Sequence, residues 1–139
     1  MAQLHQAMGQ FKEGQFVQPM DEKGWNHLGA TLMEAGQMQK AFYCFEKAIA
    51  IDQTFEGPWF NVGLAFLRVN GYQDALTIFD RLLSIKPDSI QGWHLKGMTL
   101  ANLQKHDEAI VCYDRALQLG GRDSEIWVNK SRALFSLKR

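Results

Sequence analysis

The chain has 139 residues and a mass of 15.9 kDa, with 46% hydrophobic and 22% charged residues, enough to bury one modest core. Fifteen Lys+Arg balance fifteen Asp+Glu with no like-charge block, so neither nucleic acid nor an anionic membrane is expected as the main partner. Two cysteines, Cys44 and Cys112, make no disulfide framework, and no secretory leader or run of about 18 apolar residues stands out. A cytoplasmic chain without membrane insertion is the expectation.

A repeat organises everything else. Trp25, Trp59, Trp93 and Trp127 are the four tryptophans, and each follows the last by 34 residues. Gly29, Gly63, Gly97 and Ser131 travel with them, as do Ala41, Ala75 and Ala109, then Phe45, Phe79 and Tyr113, then Ala48, Leu82 and Ala116. A fixed period of this size is the signature of a helical or related repeat array.

In chain order, residues 4–17 come first. One period before the second-helix columns stand Ala7, Phe11 and Gly14, with Leu4, Met8 and Val17 beside them and Pro19 closing. They read as the second helix of a repeat without its first, and residues 1–21 as a half-repeat. The glutamine-rich composition leaves a leader outside the array as the other reading.

Residues 22–55 form the first complete unit. Trp25, Leu28, Gly29 and Leu32 share one helical face, Gly36 breaks the pattern, and Met38, Ala41, Phe42, Phe45, Ala48 and Ile49 resume it. Residues 56–89 repeat the scheme, with Pro58 in a first turn, Asn70-Gly71 as the turn and Pro87 at the end. Residues 90–123 follow, turning at Gln104-Lys105 and stopping at Gly120-Gly121. Residues 124–139 supply a closing first helix. The spacing predicts helices near 4–17, 23–35, 38–52, 57–69, 72–86, 90–103, 106–119 and 124–137, in one domain spanning 1–139.

The mid-helix glycines cost roughly 1 kcal/mol each against alanine, so close approach of a neighbour should offset them. Ala41, Ala75 and Ala109 are the expected neighbours across each hairpin. A fully buried tryptophan replaced by alanine would cost about 3–5 kcal/mol.

These columns resemble the tetratricopeptide repeat (TPR) family, whose helix–turn–helix units carry Trp, Leu and Gly, then Ala, Phe and Ala, then Pro. The match runs through Trp25-Leu28-Gly29 with Ala41-Phe45-Ala48, and on through the later units. Departures are Lys96 in an apolar column, Leu82 for alanine, and Gln53 and Gly121 for proline. The resemblance implies an all-α fold, a right-handed α–α superhelix of about eight antiparallel helices. It also implies a protein or peptide partner held on a concave surface lined by first helices.

Carrying the inner positions across gives Asn26 and Met33, then Phe60, Asn61, Leu64, Leu67 and Arg68. The third unit gives His94, Met98, Ala101 and Asn102, and the closing helix Val128, Arg132 and Ser136. Phe60, Leu64, Leu67, Met98 and Val128 make this set apolar, as a binding groove or simply as packing between neighbouring helices. Family members that hold chaperone tails use a lysine, two asparagines, a second lysine and an arginine. Here those places hold Asn26, Ala30, Asn61, Gln91 and Leu95, so only Asn61 corresponds.

Catalysis finds no support. His5, His27, His94 and His106 sit near different helices with no metal-ligand pairing, and no phosphate-loop glycine motif exists. Cys44 and Cys112 read as small hydrophobes, and the acids Asp74, Asp80, Asp88, Asp107 and Asp114 as a solvated face paired with nearby cations. A non-enzymatic adaptor without cofactor or metal is expected. The alternative is a self-assembly module stacking through exposed repeat ends, including Leu134, Phe135 and Leu137.

Overall fold

The computed structural model describes residues 21–138, and the expected helix over 4–17 lies outside them. The described residues hold seven helices and fall into two compact units, one up to Ala65 and one from Phe66 onward. The helices are α1 (Glu22–Glu34), α2 (Met38–Ile51), α3 (Glu56–Arg68), α4 (Tyr72–Ile85), α5 (Ile90–Asn102), α6 (His106–Gln118) and α7 (Ser124–Leu137). Each lies within two residues of its expected bounds.

The 34-residue period is written into the backbone. Gly36, Asn70 and Gln104, one period apart, all take positive φ, at 80°, 61° and 64°. At each, the next amide donates to the carbonyl five residues earlier: Gln37 to Leu32, Gly71 to Phe66, Lys105 to Leu100. This is the Schellman closure that satisfies the last carbonyls of a helix. In the Asn70-Gly71 turn it is therefore the asparagine that occupies the left-handed region. Three first helices begin on side-chain caps instead. Asp21 accepts from the Gly24 amide (2.7 Å), Ser89 from Gly92 (2.9 Å) and Asp123 from Glu125 (3.0 Å).

In the first unit, α1 and α2 pack as a hairpin. Gly29 and Leu32 are buried on one side, Ala41, Cys44, Phe45 and Ala48 on the other. In the second unit α4, α5, α6 and α7 pack in sequence, with Leu100, Ala109, Cys112, Tyr113, Ala116, Ile126 and Ala133 as the core.

The side chain nearest to the mid-helix glycines Gly29 and Gly97 is an aromatic ring. A Cβ on Gly29 would lie 2.5 Å from Phe45 Cε1, and one on Gly97 2.5 Å from Tyr113 Cε1. Ala41 and Ala109 are fully buried in the same hairpins. The tryptophans are half-buried at 25, 59 and 93, and Trp127 is exposed. Their indole N–H groups need acceptors, and two find them six residues back: Trp59 donates to the Gln53 carbonyl (3.0 Å), Trp93 to that of Pro87 (2.8 Å). The acidic face is also more specific than expected, for Asp80 and Asp114 pair with Lys96 and Lys130 on the following helix.

Candidate functional site

Some of the expected inner positions come together at two places, one in each unit. In the first unit, Asn26 of α1 accepts a hydrogen bond from the Asn61 side chain of α3 (2.9 Å). The Asn26 amide also lies where a Cβ on Gly57 would stand, 2.6 Å away, so Gly57 makes room for it. Met33 is buried at 3% exposure, within the packing of α1. Phe60 and Leu64 are half-buried on α3, as is Leu67, and Arg68 is exposed at its end.

In the second unit, Met98, Ala101 and Asn102 of α5 and Arg132 and Ser136 of α7 line one cleft of about 280 Å³. Its remaining walls are His106 and Tyr113 of α6, and Asn129 and Ala133 of α7. The helical period explains the grouping: 98, 101 and 102 share one face of α5, while 129, 132, 133 and 136 share one face of α7. Polar side chains stand among apolar ones here, with Arg132 the cation among them. Val128 stands exposed on α7 and does not line the cleft.

His94 lies at the edge of this site. It is only 8% exposed, its Nε2 accepts from the Asn129 amide (3.0 Å), and its ring meets Tyr113 edge-on with centroids 6.0 Å apart. Burial holds the imidazole below its ordinary pKa, against the opposing charges of Asp123 and Glu125. Neutral His94 with the proton on Nδ1 fits an Nε2 acceptor.

Sequence reasoning missed Asn129, His106 and Tyr113 as lining residues. The signal for Asn129 is a second spacing: Asn26–Asn61 and His94–Asn129 are both 35 residues apart. A side chain one place after the tryptophan of one repeat thus bonds one two places after the next. His106 carries no such signal, because it opens α6, a second helix.

Among the described residues no three His, Cys, Asp or Glu side chains gather to hold a metal ion. Cys44 and Cys112 are buried and unpaired, and burial pushes both thiols up to about 11. Among the same residues no helix is long and apolar enough to cross a membrane.

Paired antiparallel helices with a 34-residue period, closed by the same turn and packed through the same glycine–aromatic contact, define a helical-hairpin repeat protein. The tetratricopeptide repeat family model matches residues 22–55 and 90–120. Two of the chain's 34-residue units thus match that family's model. Among solved structures, it is similar to the first TPR domain of Spaghetti (RPAP3) bound to the HSP90 peptide SRMEEVD. The TM-score is 0.81 at 19% identity, over 85% of this chain and 94% of that one. The first TPR domain of human RPAP3 is similar too, with a TM-score of 0.79 at 19% identity, over 84% and 92%. At such identity the likeness concerns the fold. No curated protein matches the chain.

Proposed function

We propose that the chain is a non-enzymatic interaction scaffold that holds a peptide segment of a partner protein against its first helices. One observation carries this reading. Met98, Ala101, Asn102, Arg132 and Ser136, all inner positions of the family pattern, line a single cleft. Met98 offers an adaptable apolar contact, and the Asn102, Asn129 and Arg132 side chains offer donors for peptide carbonyls or a carboxylate. Phe60, Leu64 and Leu67, at helical spacing on α3, are further apolar contacts in this proposal. Zero net charge favours a protein over nucleic acid, and two buried, unpaired cysteines suit a reducing, cytoplasmic setting.

The similar RPAP3 domain is described with the HSP90 peptide SRMEEVD. In this chain the places of the basic clamp hold Asn26, Ala30, Asn61, Gln91 and Leu95, so that heptapeptide should bind weakly while a less acidic segment binds better. Fluorescence polarisation with SRMEEVD, beside a peptide array of neutral and apolar sequences, tests the reading. Against the best binder, Arg132→Ala and Phe60→Glu should each weaken capture more than tenfold, about 1.4 kcal/mol, while Glu46→Gln on an exposed face of α2 should not. Equal binding by all variants would move the site elsewhere.

A further inference from the structure

The cleft of the second unit holds two asparagines whose amides are already half engaged. The Asn102 side chain donates to the Met98 carbonyl (3.0 Å), and that of Asn129 to His94 Nε2 (3.0 Å). Asn129 makes no other bond among the described residues, which leaves its Oδ1 as an acceptor for the cleft that Arg132 also lines. The first unit has a bond of the same polarity. Asn26, one place after a tryptophan, accepts from Asn61, two places after the next, as His94 accepts from Asn129. The two acceptors differ in one respect: an amide oxygen accepts at any pH, an imidazole nitrogen only while it is neutral.

We propose that His94 is a positioning residue for the cleft, and that its protonation state selects which end of the Asn129 amide a bound peptide meets. This deepens the peptide-binding reading and rests on it. With His94 neutral, Nε2 holds the Asn129 N–H group, and Oδ1 meets the N–H groups of an uncharged segment. With His94 charged, Nε2–H donates and the amide turns over to offer it Oδ1. The Nδ2 hydrogens then join Arg132 as donors to a carboxylate. Neutral conditions therefore favour an uncharged segment, and acidic ones a segment bearing carboxylates.

The surroundings of the imidazole suit a group that changes charge. Burial disfavours the imidazolium, and the carboxylates of Asp123 and Glu125, at the start of α7, favour it. Tyr113 of α6, edge-on to the ring, is a phenol that burial pushes up to about 12, so it stays neutral. Asp80 of α4 is engaged by Lys96.

Two measurements on the full chain test this. In the free protein, NMR near neutral pH should show His94 protonated on Nδ1 and not Nε2, with cross-relaxation between its ring and the Asn129 Nδ2 protons. That cross-relaxation should fall as the ring titrates between about pH 7 and about pH 5. Fluorescence polarisation should then compare SRMEEVD with SRMQQVN carrying a C-terminal amide, at about pH 7.5 and about pH 5, where carboxylates stay largely charged. Acidification should shift the affinity ratio toward SRMEEVD by about tenfold. His94→Asn, which copies the Asn26–Asn61 pair, should keep the preference seen at neutral pH and abolish the shift. An Nε2–H tautomer near neutral pH, an Asn129 amide indifferent to the titration, or an equal shift in His94→Asn would overturn the inference alone. Failure of both peptides to bind at both pH values would overturn the peptide-binding reading and this inference with it.

Discussion

Lys96 reaches from α5 to Asp80 on α4, Nζ to Oδ1 at 2.7 Å, and one period later Lys130 reaches from α7 to Asp114 on α6 at the same distance. Each lysine also lies over the tryptophan three residues before it, 5.6 Å from the Trp93 ring centroid and 5.5 Å from that of Trp127. A column that is apolar elsewhere in the family pattern is thus filled by a stem that packs and a charge that pairs. The lysines are 24% exposed and the aspartates 52% and 42%, so these bridges lie at the surface.

Their worth should be small. A double-mutant cycle with Lys96→Met and Asp80→Asn should give a coupling of about 0.5 kcal/mol, reduced in about 1 M salt. Coupling that does not fall in salt would contradict a solvent-screened surface bridge.

The glycine–aromatic contact should dominate instead. Gly97→Ala gains roughly 1 kcal/mol of helix propensity but places a Cβ 2.5 Å from a ring carbon of buried Tyr113. Overpacking costs about 1–3 kcal/mol, so net destabilisation is expected by urea denaturation. Tyr113→Leu should relieve that penalty in the double variant. Gly36→Ala, with φ +80° and open space around it, should destabilise through backbone strain alone, and no second substitution should rescue it.

The period made the hairpins legible, since thirty-four-residue columns fix helices, turns and the buried set without reference to any contact. What faces what was less legible. Gly29 and Ala41 are both small, and their column positions do not reveal that the ring of Phe45 fills the space above Gly29. Columns give membership of a face, and the rotation of one helix against the other is set by ring size. For the same reason, Asn129 and Tyr113 escaped the site while Met98, Asn102 and Arg132 did not. The Lys96–Asp80 bridge joins neighbouring helices 16 residues apart in sequence, and pairing rules confined to one helix do not reach it.

The tryptophan columns should matter less than their regularity implies. Trp93 is half-buried, with an indole N–H bonded to the Pro87 carbonyl. Trp93→Phe should lose that bond and about 1 kcal/mol, and Trp93→Ala should cost less than the roughly 3–5 kcal/mol of a fully buried site. Trp127→Phe, at an exposed position, should change the urea midpoint least.

His94 should make stability depend on pH. Its folded pKa lies below its ordinary value of 6.5, chiefly because burial disfavours the imidazolium. Between the two values the unfolded chain binds more protons than the folded one, so stability rises with pH. The contribution is complete above about pH 6.5 and is lost as pH falls from there toward the folded pKa. Protonation would also turn Nε2 from acceptor to donor and oppose the Asn129 amide that now donates to it. His94→Gln keeps a hydrogen-bonding group without titrating. Urea denaturation of both proteins between about pH 5 and 7.5 should therefore show the parent losing stability relative to the variant on acidification. Taking the difference cancels the groups common to both. Parallel curves would show that the imidazole stays neutral throughout or is equally solvated in both states, and the buried His94–Asn129 bond would then carry no pH dependence.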